Sequence, residues 1–112
     1  MKLCNYTDYA AGSDKELEIA IEFLLSNGEV REDFKKISGT CAALVTYKNA
    51  IYGDKNLLKR GLNGINYRIE DKLARISNYD KSNSSKVTAL KEYFDIAGYC
   101  INAIRLLAEG KL

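Results

Sequence analysis

Between Phe94 and Leu107 the chain offers only three clearly polar positions, Asp95, Asn102 and Arg105, with a tyrosine at 99. A helix apolar around most of its girth does not sit on a surface; it belongs at the centre of a bundle or beneath a second subunit. This segment, over about 87–109, therefore dictates the arrangement of the rest, which has to cover it. The sequence contains no proline. That suits long unbroken helices, because proline clashes with the preceding turn and removes a backbone donor.

Several amphipathic segments are available for the covering. Ser13 opens a capping box with Glu16, and Ile19, Ala20, Phe23 and Leu24 follow at helical spacing until Asn27-Gly28 ends the helix. A short helical segment is expected at 30–37, with Val30, Phe34 and Ile37 on one side. Gly39-Thr40 separates it from a helix through Ala42, Ala43, Leu44 and Tyr47, which ends before Tyr52-Gly53-Asp54. One more turn over 55–62 closes on Gly61, and Asn63 then caps a helix carrying Ile65, Ile69, Leu73 and Ile76 as its apolar stripe. Residues 1–12 read as an irregular arm and 79–86 as a polar loop. The expected fold is all-α, a single domain over 1–112 built as a compact antiparallel bundle of about four main helices.

Charge and cysteine usage narrow the function. Seventeen basic and fifteen acidic residues leave a net charge of +2, with the signs mixed along the chain. No basic face is concentrated as a duplex-binding protein would need, whereas a small anion needs only two or three placed cations. Three scattered cysteines, Cys4, Cys41 and Cys100, with no histidine, argue against a zinc site and against serine or cysteine catalysis with an imidazole base. Cys41 and Cys100 are expected as small core residues in a reducing compartment. The first residues lack the apolar stretch of a signal peptide, and no run approaches the roughly 20 apolar residues that cross a bilayer, so no membrane association and a cytoplasmic location are expected. Eight tyrosines without a tryptophan suggest rings lining an interface or a pocket.

Two clusters can carry chemistry. Glu92, Asp95, Tyr99 and Asn102, spaced by three, four and three, form a polar stripe on the apolar last helix. Two carboxylates one turn apart can hold a magnesium ion bearing nucleotide phosphates. Alternatively, the acids complement the helix dipole and Asn102 is a packing polar residue. In the preceding helix Asp71 lies nearly opposite the isoleucine stripe and Glu70 at its edge, the pattern of a solvated face. Lys72 and Arg75 either pair with these acids or meet phosphate oxygens.

Taken in order, these pieces resemble a known family. Tyr47-Lys48-Asn49-Ala50-Ile51-Tyr52-Gly53-Asp54 is similar to the K-N-x-x-Y-G-D block of the nucleotide modification associated domain 1 family of small phage and bacterial proteins. Arg68 to Ile76 resembles its R-x-x-D-K-x-x-R helix, and Asp95 to Ile101 its D-[LI]-A-x-Y helix. Together the blocks cover about residues 40–108. That family is similar to the MazG and dUTPase-like all-alpha nucleotide pyrophosphohydrolases, and Glu92-x-x-Asp95 looks like their ExxD pair. The chain departs from these patterns in two places. Leu73 and Ala74 follow Glu70-Asp71 where the pyrophosphohydrolases carry an EExxE triplet, and Lys91 stands where an acidic residue usually precedes the third block.

The resemblance implies a MazG-like bundle assembling as a homo-oligomer, with Lys48, Asp54, Arg68, Asp71, Lys72, Arg75, Asp95 and Tyr99 around a nucleotide site. Under the enzymatic reading, Asp71, Glu92 and Asp95 hold magnesium and orient water for hydrolysis of a nucleoside triphosphate. Lys48, Lys72 and Arg75 then neutralise the phosphoryl oxygens, and Tyr52 or Tyr99 stacks on the base. The alternative is a phage-type module that binds and sequesters a nucleotide or nucleotide signal without turning it over, with Asn102 completing the ligand-binding set. A third reading is a helical protein-binding module with its carboxylates outside an apolar groove.

Overall fold

The computed structural model describes residues 14–112. Five helices make up the described chain: α1 (Lys15–Leu25), α2 (Glu32–Tyr52), the short α3 (Lys55–Lys59), α4 (Gly61–Ile76) and α5 (Asn83–Ala108). The all-α expectation holds, and no strand occurs among the described residues. The expected arm over 1–12, together with Cys4 and Ser13, lies outside them.

Local chemistry sets most of the boundaries. Asp14 caps α1, its carboxylate accepting the Leu17 amide at 3.1 Å. The helix closes on Asn27 at φ 60°, with the Gly28 amide bonded back to the Phe23 carbonyl at 2.9 Å. The predicted break at Gly39-Thr40 is absent: α2 runs straight through it. A mid-helix glycine costs only about 1 kcal/mol relative to alanine, and the Thr40 hydroxyl bonds the Lys36 carbonyl one turn back at 2.9 Å. Gly53, at φ 66°, ends α2 with a conformation that glycine adopts without strain. Gly61, rather than Asn63, begins α4. The last helix starts four residues earlier than expected, because Ser82 caps it by accepting the Ser85 amide at 3.2 Å. The polar run thus forms its first turn as well as the loop.

Helix α5 is the hub. It packs along α4 and against α2, while α3 packs on α4 and α1 makes no substantial packing with any other helix. Gly98 lets α2 approach closely, since a Cβ there would lie 3.0 Å from Val45 Cγ2. The apolar interior is small: Cys41, Ile65 and Leu106 are its buried members among the described residues, and of these Ile65 and Leu106 are fully enclosed. Ile65 anchors the predicted α4 stripe, but Leu73 is exposed. Cys100 is exposed too, so of the two expected core cysteines only Cys41 is inside. No described helix is long and apolar enough to cross a membrane.

Candidate functional site

Two of the buried residues are acids. Glu92 and Asp95, each 5% exposed, project from the middle of α5 into the junction with α2 and α4. Ionised carboxylates there would be costly unless cations came with them, and both neighbouring helices supply these. Lys72 of α4 places its ammonium 3.1 Å from Asp95 Oδ2 and 3.3 Å from Glu92 Oε2, and Lys48 of α2 donates to Asp95 Oδ1 at 2.6 Å. Arg75, a turn below Lys72, stands 3.7 Å from Glu92 Oε1. Asp95 therefore ties three helices together. Burial works to raise its pKa, but the two lysines outweigh burial and hold it below the ordinary carboxylate value. Lys72 is the mirror case: burial pushes it down, and Asp95 and Glu92 more than restore it, leaving it raised.

A second polar knot fixes the turn after α2. Arg105 of α5 grips Asp54 with two nitrogens, at 2.6 and 3.0 Å, and Asn49 donates to the same carboxylate at 2.9 Å. Asn102 accepts a further Arg105 bond at 2.9 Å. The guanidinium, seconded by Asn49, keeps the Asp54 carboxyl below its usual range. Asp54 thus positions the Gly53 turn, with both oxygens committed.

Between these two knots lies a cleft of about 400 Å³, a size that suits a small ligand. Its wall contains Lys48, Tyr52, Arg68, Asp95, Tyr99 and Asn102, six of the residues singled out from the sequence. Leu44, Val45, Leu57 and Phe94 give it an apolar side, and Asn49 and Asn56 add amides. Arg68 differs from every other cation here: it lines the cleft with no hydrogen bond or ion pair to any described residue. The remaining five predicted residues do not line it. Lys72, Arg75 and Glu92 form the charged layer adjoining it, and Asp54 holds its rim.

Asp71 sits apart. Its side chain is 52% exposed and its ion-pair partner is Arg75, 3.2 Å away on the outer face of α4. The helical phase of Asp71 anticipated this exposed position. Among the described residues no group of three or more Cys, Asp or Glu side chains is placed to hold a metal ion. Arg105 escaped the sequence reading because its partner is 51 positions away, beyond the reach of helical periodicity. Asn49 was within reach, as a member of the K-N-x-x-Y-G-D block. No family model, curated protein or solved structure matches the chain.

Proposed function

We propose that the cleft between α2, α4 and α5 binds a small nucleotide or nucleotide-derived signal and holds it without turnover. The observation that carries this reading is Arg68, a cation on the cleft wall with no carboxylate of its own. Lys48, Lys72, Arg75 and Lys91 bring the local cations to five against the three acids they meet, Glu92, Asp95 and Asp71, so the region has positive charge to spare. A phosphate group is the matching partner: guanidinium binds it with paired, charge-assisted hydrogen bonds. Tyr52, Tyr99 and Phe94 supply ring surface for a base, and Asn56 and Asn102 supply amides for its polar edge. The proposal includes a cytoplasmic location, self-association and, in a phage setting, sequestration of a host signal.

A second reading, magnesium-dependent hydrolysis of a nucleoside triphosphate, is favoured by one atom. Glu92 Oε2 is buried and makes no hydrogen bond, its contact being the ion pair with the Lys72 ammonium at 3.3 Å. A three-carboxylate centre does not fit these side chains, because Asp71 faces away and each oxygen of Asp95 has a lysine beside it. Glu92 and Asp95 alone would have to hold the ion, whose chemistry is to polarise a phosphoryl oxygen and acidify a bound water. Lys48 and Lys72 would then be free for phosphate.

The test is mass spectrometry on near-stoichiometric purified protein incubated with a mixed nucleotide pool, cyclic species included, with magnesium. Binding without turnover predicts a species recovered intact and only from the protein fraction. Conversion of a triphosphate to its monophosphate supports the second reading, and a pool left untouched with empty protein removes both.

A further inference from the structure

We infer that the cleft selects a nucleotide with a single phosphate group, taking a nucleoside monophosphate in preference to the diphosphate or triphosphate of the same base. That selection presupposes the nucleotide reading of the cleft and concerns only the length of the phosphate chain.

Ionised groups on the wall are few. They are Lys48, Arg68 and Asp95, and Lys48 is already committed, donating to Asp95 Oδ1 at 2.6 Å. One positive charge is left over, the guanidinium of Arg68, which meets no carboxylate. The charged layer behind the wall adds one more. There Lys72, Arg75 and Lys91 meet Glu92, Asp71 and the second oxygen of Asp95, three cations with two further acids. At the rim Asp54 and Arg105 cancel, and Lys55 and Lys59 of α3 are not part of the wall. A phosphate monoester carries about −1.5 to −2 at pH 7, so one such group takes up the whole surplus. Each further phosphate of a chain brings more negative charge, with no cation of the wall left to meet it.

Asp95 turns that shortfall into discrimination. Its side chain is 3% exposed, and a buried charge is poorly screened by salt. As a member of the wall it sets a fixed negative charge against phosphate oxygens beyond those that Arg68 holds. Repulsion of the wrong ligand is as effective a source of specificity as attraction of the right one.

Size points the same way. About 400 Å³ stands near the lower end of the range for small-molecule sites, about 300–1,000 Å³. With a base against the rings of Tyr52, Phe94 and Tyr99, that volume matches one sugar and one phosphate rather than a second nucleotide unit.

Isothermal titration in excess chelator at fixed ionic strength tests the selection, using the mono-, di- and triphosphates of adenosine, guanosine, cytidine and uridine. For a base that binds, the monophosphate is expected to bind tightest and the triphosphate at least about tenfold more weakly, the order of effect of an uncompensated charge near a buried carboxylate. Asn56→Lys adds a cation at an exposed position of the wall. It should improve the triphosphate more than the monophosphate and shrink the gap at least about threefold. Asp95→Asn should shrink it too, and Asn56→Lys decides should that protein unfold. A diphosphate or triphosphate that binds as tightly as its monophosphate, or a gap that Asn56→Lys leaves unchanged, would overturn the selection while the nucleotide reading stands. A protein that binds no member of the panel removes that reading, and the selection falls with it.

Discussion

Lys72→Met removes an ammonium but keeps an apolar stem of similar length, which isolates the charge that α4 lends to α5. Two carboxylates lose a partner, at 3.1 and 3.3 Å. At an effective dielectric constant of 20, each contact is worth about 5 kcal/mol before desolvation is subtracted. Withdrawing one member of a buried ion pair costs about 3–5 kcal/mol net where the other charge is stranded; Lys48 and Arg75 stay beside Asp95 and Glu92, which places the loss at the lower end, about 3 kcal/mol. Against a total stability of about 5–15 kcal/mol, that is a large loss. In urea it should lower the midpoint by about 2 M for a typical slope, read by far-ultraviolet circular dichroism at one fixed protein concentration. Lys91→Met is the control. Its ammonium is 3.7 Å from Asp95 but 71% exposed, and its loss should cost about 0.5 kcal/mol or less. Adding Asp95→Asn to Lys72→Met should return part of the loss, since it removes one of the two buried carboxylates that the ammonium had served. A Lys72→Met protein within about 1 kcal/mol of wild type would refute the view that this lysine balances the buried acids.

Two other outcomes follow from the polar knots. Asp54→Ala should cost about 1–3 kcal/mol, as expected for losing charged hydrogen bonds to a half-buried arginine, and hydrogen exchange should quicken at Gly53 and through α3. Unchanged exchange there would show that the turn holds without the clamp. The pH dependence has a defined sign. Asp95 and Asp54, depressed below an unfolded value of about 3.9, contribute stability above that pH and lose it as pH falls through their folded values. Lys72, raised above about 10.4, contributes below that pH and loses its part as pH rises through its folded value. Urea midpoints should therefore fall at both extremes, with a shallower acid limb in Asp95→Asn; an identical acid limb would count against Asp95.

Much of this was legible in the sequence, for reasons that separate the hits from the misses. The central place of α5 follows from its apolar girth, and the stripe from Glu92 to Asn102 follows from helical spacing, both of which are local. The continuity of α2 through Gly39-Thr40 was not legible, because a glycine's small penalty is easily overcome by the helix on either side. The early start of α5 was hidden by a serine- and asparagine-rich run, which suits a loop and a capped first turn equally. Asp71 shows two signals in conflict: the family block placed it at a site, while its helical phase placed it outside, where it is. The Asp54–Arg105 clamp and the neutralisation of Asp95 by lysines from two other helices depend on how helices cross, which no short-range pattern encodes.

The central claim is that Arg68 receives a phosphate in a cleft that needs no metal to bind it. Isothermal titration with a panel of nucleoside mono-, di- and triphosphates and cyclic nucleotides, run in excess chelator, tests it most directly. At least one member should bind in chelator, and Arg68→Ala should weaken it about 10- to 150-fold, the value of a charged hydrogen bond, with its helical signal unchanged. Binding that appears only with magnesium, or that Arg68→Ala leaves intact, would contradict the claim.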